Sequence, residues 1–323
     1  MRKGVLLVGL GNIGLKYDLH LEEGSFVHTH ARAFERHKEF ILLGAVDDNL
    51  ECRDVFTKIY EKPAYIDLFE ALQVHKPDLV VIATPTSSHF KILSNILKKS
   101  SPRIILCEKP LSNNLIEAQK MVNECDKRDI DLFVNYMRRS DAGVIKVKNL
   151  IDSENFKIDL KGVAWYSKGF IHNGSHFFNL LEYWLGPMKN FNVLNIGRTT
   201  LLDDHEPDVE VTFKHGKIVF LAAWEEYFSH YTIELLSQSG RVRYEEEGHS
   251  ISIQNIVSDP IFKDYKILNK NKKNIRANLQ YSQLNVVNQL AKFISGESYN
   301  LCSGKEALVT LTSMQLIIAQ LKK

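Results

Sequence analysis

Residues 6–18 read LLVGLGNIGLKYD, a short apolar run followed by three glycines in the spacing Gly-x-Gly-x-x-Gly. Where a strand turns into a helix, Gly9 makes the tight turn, Gly11 lets the backbone approach a pyrophosphate, and Gly14 allows helix and strand to pack closely. Backbone amides at the positive end of the helix then bind the anion. The turn residues predicted to bind a dinucleotide are Gly9, Gly11, Asn12, Ile13 and Gly14. The prediction depends on the strands and helices that follow, because the glycine spacing alone is weak evidence.

The first half of the chain alternates apolar strands with amphipathic helical stretches, which is typical of βαβ units and a parallel sheet. Five strands are predicted: GVLLVGLG (4–11), FILLGAVDD (40–48), DLVVIATPT (78–86), RIILCEKP (103–110) and DLFVNYMRR (131–139). Their nearly continuous Val, Ile and Leu runs are expected of strands buried on both faces. The sequence therefore predicts an α/β fold whose N-terminal domain, residues 1–138, is a Rossmann doubly wound parallel sheet.

Asp47 ends the second predicted strand, where an acid hydrogen-bonds a ribose 2′-hydroxyl. Asp48 beside it repels a 2′-phosphate, so NAD is predicted rather than NADP. Asp47 lies beyond the roughly 20 residues that usually follow the glycine fingerprint. The excess is LKYDLHLEEGSFVHTH (15–30), a predicted insertion on the cofactor side of the sheet and a candidate flap over the site.

Composition limits the classes of function. At 323 residues the chain exceeds the size of a single core, which predicts two domains. A net charge of +2 gives no general attraction to nucleic acid or anionic lipid. The Lys-rich stretch 263–276 is predicted to be a solvated loop, with docking of a phosphate-bearing ligand left open. Since no apolar stretch suits a signal peptide or a membrane span, a cytoplasmic location is expected.

No metal site is predicted. The insertion contains His20, His28 and His30 without a carboxylate or cysteine at ligand spacing. The cysteines are scattered, lack C-x-x-C spacing and are expected to be buried free thiols in a reducing compartment. They are Cys52, Cys107, Cys125 and Cys302.

The second half, residues 139–323, is predicted to be an α+β domain with an open, mostly antiparallel sheet. KIDLKGVAWYSKG (157–169) is strand-like, and GSHFFNLLEYWLG (174–186) is helical. Alternating stretches on both sides of His215-Gly216 and of Ser239-Gly240 predict two hairpins. Helices predicted over 281–296 and 304–323 are expected to pack back toward the N-terminal domain.

Two segments at predicted strand ends resemble the Gfo/Idh/MocA family of nicotinamide-dependent oxidoreductases. They are ATPTSSH (83–89) and CEKPLSNN (107–114). Ligands of doubly wound sheets bind outside the carboxyl ends of the strands. The resemblance implies that these segments contribute cofactor-binding residues, namely Thr84, Pro85, His89, Glu108 and Lys109. It also implies that Lys109 handles the proton of the reacting hydroxyl, a role for which a lysine need only orient that oxygen. The alternative for Lys109 is a solvent-exposed turn lysine.

KGFIHNGSHFFNLLEYWLG (168–186) is similar to the family's Asp-x-Gly-x-His-x-x-Asp pattern at the entry to a helix. His176 is retained, whereas His172 and Asn179 replace the two aspartates. The resemblance implies that His176 shares the proton transfer with Lys109, which suits an imidazole because its pKa lies near neutrality. For His172 two roles stay open, proton relay or a helix-entry residue hydrogen-bonded to the backbone. His-x-x-x-His is also a zinc spacing, but the glutamate of His-Glu-x-x-His is missing.

The predicted substrate contacts come from polar residues near these segments: Arg139, Lys168, His172 and Asn179. For Arg138 or Arg139 the alternative is an interdomain ion pair. Together these features predict an NAD-dependent oxidoreductase that interconverts a secondary alcohol and a ketone on a sugar, nucleotide sugar or cyclitol, as a homo-oligomer (dimer or tetramer) through the C-terminal sheet. The alternatives are a non-catalytic dinucleotide sensor and a reductase of a dihydrodiol or tetrapyrrole. The substrate and the direction of reaction stay open.

Overall fold

A computed structural model describes residues 2–22, 24, 26–153, 156, 159–200 and 204–321. The chain divides into two compact units, residues 1–140 with 280–308 and residues 141–279 with 309–323. The helices are α1 His30–Arg36, α2 Leu50–Tyr60, α3 Leu68–His75, α4 His89–Lys99, α5 Leu115–Asp126, α6 Ala142–Asp152, α7 Ser175–Leu185, α8 Ser282–Ile294 and α9 Gly304–Leu321. The strands of the first unit are β1 Lys3–Val8, β2 Phe40–Val46, β3 Ala64–Tyr65, β4 Leu79–Ile82, β5 Ile104–Cys107, β6 Asp131–Val134 and β16 Cys302–Ser303. Those of the second unit are β7 Leu160–Tyr166, β8 Met188–Thr199, β9 His205–Phe213, β10 Gly216–Ala222, β11 Thr232–Ser237, β12 Gly240–Glu245, β13 Ser250–Ser258, β14 Lys266–Leu268 and β15 Lys273–Ile275.

The first unit is a doubly wound sheet with the strand order β16-β6-β5-β4-β1-β2-β3. Strands β1 to β6 pair in parallel, and β16 pairs antiparallel with β6. All residues of β4 and β5 are buried, in agreement with their continuous apolar sequences. The predicted Rossmann fold is confirmed. The strand order reverses beside β1, which is where ligands bind in such sheets.

The first unit also includes residues 280–308, which the sequence assigns to the second domain. Helix α8 contributes Val286, Val287 and Leu290 to the same apolar core as β1 and β4. The other boundary lies between Ser140 and Asp141, close to the predicted one at 138. Helix α8 therefore completes the sheet's covering layer, although it is remote in sequence.

The insertion precedes helix α1, which begins at His30 with Thr29 as its N-cap. The amides of His30 and Ala31 donate to the carbonyls of Ile13 and Gly14, on the other side of the insertion. Removal of the 13 residues 17–29 would bring these donors and acceptors to the i to i−4 spacing of a helix. Without them, Asp47 lies about 20 residues beyond Gly14, as the dinucleotide fingerprint requires. The unusual spacing is a local excursion that leaves the unit's topology intact.

The second unit is built on a sheet with the strand order β14-β13-β12-β11-β7-β10-β9-β8, to which β15 adds by pairing with β13. Its strands pair antiparallel except for β7 with β10, which confirms the predicted open, mostly antiparallel sheet. Both predicted hairpins are present. One face of the sheet packs against α6 and α7 around an aromatic core of Phe170, Phe177, Phe178, Phe213 and Phe220.

All four cysteines are buried and free, as predicted. Among the residues that the structure describes, no helix is long and apolar enough to cross a membrane.

Candidate active site

The glycine turn has the local geometry that its sequence predicts. Gly9 has φ +102°, a conformation that side chains rarely adopt, and an added Cβ would lie 2.6 Å from the Ala83 carbonyl oxygen. A Cβ at Gly14 would lie 2.1 Å from the carbonyl oxygen of Gly9. A Cβ at Gly11 meets no atom of the described residues within 4 Å. Two glycines thus close the turn, and the third leaves its backbone open to approach.

Asp47 lies beside this turn at the end of β2. One carboxylate oxygen accepts from the Leu10 amide at 2.6 Å, and the other accepts from the Asn49 amide at 2.8 Å. A carboxylate has about four lone-pair sites, so both oxygens retain capacity for further hydroxyl donors. Asp48 is exposed next to it. The two acids give this edge of the site a negative charge, which suits a ribose diol and repels a 2′-phosphate.

The loop after β4 is tied to the loop after β5. The ring of His89 is fully buried, with Nε2 2.9 Å from the Thr84 carbonyl oxygen and Nδ1 3.3 Å from that of Leu111. The Ser88 hydroxyl donates to Thr84 Oγ1 at 2.8 Å. His89 therefore acts between two loops, while Pro85 and half-buried Thr84 have surface available to a ligand.

Glu108 and Lys109 follow β5 at the carboxyl edge of the sheet, and the Lys109–Pro110 peptide is cis. Glu108 Oε1 lies 2.7 Å from His30 Nε2 and accepts from Asn135 Nδ2 at 2.6 Å. Burial of this carboxyl raises its pKa, but the hydrogen bond and charge of His30, with Asn135 and Lys109, outweigh burial, so the pKa of Glu108 lies below its usual value. The Glu-Lys-Pro turn therefore carries a buried carboxylate beside a half-buried lysine.

Arg139, predicted to contact substrate, lies inside the first unit. Its side chain is 4% exposed and donates from Nη1 to Glu306 Oε1 at 2.7 Å. The Glu306 side chain is 50% exposed, and its partial desolvation opposes ionisation, yet the charge of Arg139 and hydrogen bonds from Ser303 lower the pKa of this carboxyl. Ser303 and Glu306 also form a capping box at the start of α9. Arg139 does form an ion pair, but both partners belong to the first unit, so this pair is not the interdomain pair that the sequence left open.

In the second unit, the segment between β7 and α7 forms a π-helical turn, Gly169–Gly174. π-Helical turns are rare in proteins, and those that occur are often located at functional sites. Lys168 precedes the turn with φ +65°, in the left-handed region, and is exposed. His172 is also exposed. Both predicted substrate residues therefore lie on a strained, irregular piece of backbone.

Carboxylates from the neighbouring strand β9 and the residue before it hold this turn. Asp204 accepts from the Ile171 amide at 3.1 Å and from the His172 amide at 2.7 Å. Glu206 accepts from the Gly169 amide at 2.8 Å. Burial raises the pKa of Asp204, and the two backbone donors only partly offset this effect. A Cβ at Gly169 would lie 2.2 Å from Asp204 Oδ2, so this position requires glycine.

A cavity of about 680 Å³ in the second unit includes both exposed substrate candidates. Its described lining residues are Lys168, His172, Arg198, Thr199, Thr200, Asp204, Glu206, Glu225 and Glu226. Arg198 is bound by two of the acids, Glu206 and Glu226. Four carboxylates against two permanent cations give the described lining a net negative charge.

His176 and Asn179 lie on α7 and are buried. His176 is 7% exposed, one residue into the helix. Asn179 is 0% exposed and donates from Nδ2 to Thr310 Oγ1 at 2.9 Å. The sequence predicted that Asn179 contacts substrate, whereas its amide is part of a buried group with Thr310 and Glu182. Asn179 lies about one turn into an apolar helix that is almost entirely buried, which explains its burial.

The glycine turn fits a dinucleotide. Only backbone lies at Gly11, where a pyrophosphate approaches, and Asp47 supplies the acid that a ribose diol requires. Among the described residues, no group of three His, Cys, Asp or Glu side chains is arranged to hold a metal ion.

Comparison with known proteins identifies the family of the N-terminal stretch. Residues 3–136 match GFO_IDH_MocA, described as an oxidoreductase family with an NAD-binding Rossmann fold. This stretch is a Gfo/Idh/MocA domain. The resemblance based on the Thr-Pro and Glu-Lys-Pro segments is therefore confirmed, and so is the NAD-binding class of the first unit.

Relatives of this Gfo/Idh/MocA domain include inositol dehydrogenases. The chain is 29% identical over 155 residues to a myo-inositol 2-dehydrogenase of Thermotoga maritima, covering 47% of this chain and 41% of that protein. It is 36% identical over 91 residues to an inositol 2-dehydrogenase of Mycolicibacterium smegmatis, covering 28% of this chain and 26% of that protein. The matched stretches thus span less than half of each relative.

The fold extends beyond the Gfo/Idh/MocA domain. The WlbA dehydrogenase of Bordetella pertussis, solved with NADH and UDP-GlcNAcA, has a TM-score of 0.75 and 18% identity, with 100% of this chain and 97% of that one covered. This likeness shows that both units have the fold of that dehydrogenase.

Sequence reasoning missed several residues around the site. Asn135 donates a hydrogen bond to Glu108 and another to Gln283. Asp204 and Glu206 accept hydrogen bonds from amides of the π-helical turn. Asn135 could have been found, because it directly follows β6 at the same sheet edge as Glu108. The others carry no local signal, since their partners are remote in sequence.

Proposed function

We propose that the chain is an NAD-dependent dehydrogenase that interconverts a secondary alcohol and a ketone on a neutral sugar or cyclitol. The observation that carries the proposal is the carboxyl edge of the first sheet, where an open glycine turn, Asp47 and the Glu108–Lys109 turn occur in one Gfo/Idh/MocA domain. The names of the inositol dehydrogenase relatives support a polyol substrate.

In the proposed reaction a substrate hydroxyl group loses its proton, and the carbon atom that carries this hydroxyl is oxidised to the ketone. When bound, NAD⁺ supplies the two-electron oxidation of that carbon. Lys109 hydrogen-bonds the reacting oxygen and stabilises the charge that develops on this oxygen. His176 exchanges the proton with the same oxygen. Glu108 supplies a fixed negative charge beside the Lys109 ammonium. His172 binds or relays from the exposed turn.

The charge of the second-unit cavity supports a neutral substrate over a nucleotide sugar. Its carboxylates accept hydrogen bonds from hydroxyl groups, as polyol recognition requires. A diphosphate would meet like charge from Glu225 and Glu226, with Arg198 already occupied by Glu206 and Glu226. Lys168 remains as a donor to a substrate oxygen.

The first test is titration with NADH and NADPH, followed by nicotinamide fluorescence, and then a turnover screen of cyclitols, neutral sugars and UDP-sugars with NAD⁺. We expect NADH to bind at least about tenfold more tightly than NADPH, since the acid at the end of β2 repels a 2′-phosphate. Asp47→Asn should lower the preference for NADH over NADPH. Asp48→Asn, at the exposed neighbouring residue, should change this preference less. Turnover of a neutral polyol should fall by about 10²-fold or more in Lys109→Met with NADH binding retained.

Tight NADH binding without turnover of any polyol or UDP-sugar would contradict the dehydrogenase and favour a dinucleotide sensor. Turnover confined to UDP-sugars would contradict the neutral substrate alone. Absence of binding of either nucleotide would remove the whole proposal.

We also propose that the chain forms a homo-oligomer through the outer face of the second sheet. On the face away from the core, Val163 pairs with Val219 and Trp165 with Leu221 across β7 and β10. These four apolar side chains are partly exposed at the centre of the sheet, and Leu236 on β11 adds a side chain that is 44% exposed. An apolar patch rimmed by charged residues suits a self-complementary interface.

A further inference from the structure

Four polar side chains meet in a buried group at the carboxyl edge of the first sheet. Besides the contacts of Glu108 with His30 and Asn135, Asn135 Nδ2 donates to Gln283 Oε1 at 3.0 Å. His30, Asn135 and Gln283 are at most 3% exposed, and the Glu108 side chain is 12% exposed. The group joins helix α1, the ends of β5 and β6, and helix α8.

Within this group, the carboxylate of Glu108 depends on its neighbours. An ionised carboxyl in a buried position is strongly unfavourable unless it is paired and hydrogen-bonded. His30 hydrogen-bonds the carboxylate through Nε2 and adds a positive charge when its ring is protonated, whereas Asn135 brings a neutral donor. In the part of the chain that the structure describes, His30 Nδ1 has no hydrogen-bond partner, so the hydrogen bonding of this imidazole is directed at the carboxylate.

We propose that His30 is a positioning residue for the Glu108–Lys109 turn, which it serves by holding the Glu108 carboxylate ionised and fixed beside Lys109. The inference rests on the proposed function, in which Lys109 hydrogen-bonds the reacting oxygen of the substrate. His30 is the first residue of α1 and follows the insertion directly. The insertion therefore lengthens the chain before α1, and His30 still contacts Glu108.

The charged and titratable neighbours of Glu108 fix the sign of the pH effect. His30 faces it from α1 and Lys109 follows it, and both lower its pKa. Cys107 precedes it, and burial raises the pKa of that thiol well above its usual value, so the thiol is neutral. Asn135 and Gln283 do not titrate. Since burial alone raises the pKa of Glu108, loss of the imidazole moves that pKa upward.

A carboxyl group whose pKa is lower in the folded than in the unfolded chain stabilises the fold. This stabilisation is present above the unfolded-state pKa and is lost as the pH falls through the folded-state pKa. Without His30 this contribution shrinks. The acid limb of any property that requires the Glu108 anion then begins at a higher pH than in the wild type. A purely structural histidine would lower stability at every pH without moving this limb.

The test compares His30→Gln, Glu108→Gln and the double variant with wild type and with His20→Ala, an exposed histidine of the insertion. Three quantities are measured against pH: the dissociation constant of NADH, the free energy of unfolding of the protein without nucleotide, and kcat and KM for a polyol. In His30→Gln we expect the acid limb of NADH binding and of kcat/KM to move to higher pH, and kcat to fall on the order of 10- to 100-fold with a smaller change in KM. In the Glu108→Gln background, His30→Gln should no longer move the limb, and His20→Ala should match wild type.

An unchanged acid limb and kcat in His30→Gln would overturn the inference, and so would a loss of stability at all pH values with no shift of the limb. If His30→Gln does not fold, His30→Asn is measured in its place with the same criteria. A wild type that binds no nucleotide fails the proposed function. The pH dependence of unfolding then still decides whether His30 keeps Glu108 ionised.

Discussion

Gly11 and Gly14 belong to one turn, but the structure requires glycine at the two positions for different reasons. A side chain at Gly14 collides with the Gly9 backbone, whereas one at Gly11 enters open space among the described residues. We therefore predict that Gly14→Ala lowers the free energy of unfolding by about 1–3 kcal/mol, because backbone must move. Gly11→Ala should leave stability within about 0.5 kcal/mol, as surface substitutions usually do, and weaken NADH binding at least about tenfold by blocking the close approach of the pyrophosphate.

Thermal or urea unfolding of both variants, with NADH titration, checks this pair. Equal losses of stability would contradict the assigned geometry. Normal NADH affinity in Gly11→Ala would show that the pyrophosphate does not approach the turn at this residue.

The Arg139–Glu306 pair gives a second prediction at the residue scale. Glu306 has a lowered pKa, so its contribution to stability is present above the unfolded-state pKa and is lost as the pH falls through its folded-state value. Glu306→Gln should cost about 1 kcal/mol near neutral pH, because it removes the anion of the buried Arg139 while solvent screens the half-exposed carboxylate. The stability profile should also flatten on the acid side.

Urea unfolding between acid and neutral pH measures this effect. Lys127→Gln is the control, since its pair with Glu124 lies in solvent and is screened, so its loss should leave stability nearly unchanged. A Glu306→Gln profile parallel to that of wild type would contradict the role assigned to the Glu306 charge.

Individual residues were predictable from the sequence where one segment supplies both the residue and its reason. The glycine turn, Asp47 and Glu108–Lys109 each follow a strand, and strand ends converge in a parallel sheet. Asn179 was wrong as a substrate contact, because its partner Thr310 lies on a helix 131 residues away. His30 was considered only as a metal ligand, because its carboxylate partner lies at the end of another strand.

At the scale of elements, the π-helical turn Gly169–Gly174 shows how a remote carboxylate shapes a substrate segment. Asp204 uses its carboxylate to accept from two amides of this turn. Asp204→Asn replaces one acceptor oxygen with a donor, so one amide loses its partner. We predict a rise in KM for the polyol of about tenfold, which is the 1–1.5 kcal/mol of one hydrogen bond. NADH affinity should not change.

Steady-state kinetics with NADH titration of Asp204→Asn tests this separation. Asp152→Asn, on the exposed end of α6, serves as the control because its carboxylate binds Lys148 at the surface. A loss of NADH binding in Asp204→Asn, or an unchanged KM, would contradict a local role of this carboxylate.

Elements were predictable according to their length. Helices and strands with several turns or pairs carry a periodic apolar pattern, and β1, β2, α7, α8 and α9 were predicted close to their observed bounds. Strands β3 and β16 contain two residues each, too few for any periodicity, and they form only because a neighbouring strand offers its edge. The insertion before α1 was recognised as excess sequence, but the hydrogen bonds that join the start of α1 to Ile13 and Gly14 link residues on opposite sides of the insertion.

At the scale of the whole molecule, the two units differ in what their sheets leave uncovered. The strands of the first sheet are buried on both faces, as continuous apolar sequences require. The second sheet has helices on one face, and its strands alternate accordingly, with inward residues such as Val211 and Phe220 fully buried. The sequence predicted this contrast because period-2 alternation is a local property. It could not identify the partner of the outer face, since that depends on shape and charge across several strands.

The partner proposed for this face is a second copy of the chain, so the last prediction concerns mass in solution. Sedimentation equilibrium at micromolar concentration should give a dimer or tetramer for wild type. Leu221→Lys, at the centre of the outer face, should weaken assembly on the order of 10- to 100-fold, as expected for an interface centre. Ile261→Lys introduces the same charge at a loop residue that is 77% exposed, and should leave the mass unchanged. A wild type that sediments as one chain would contradict the proposed interface, and equal dissociation of both variants would show that added charge, rather than this face, controls assembly.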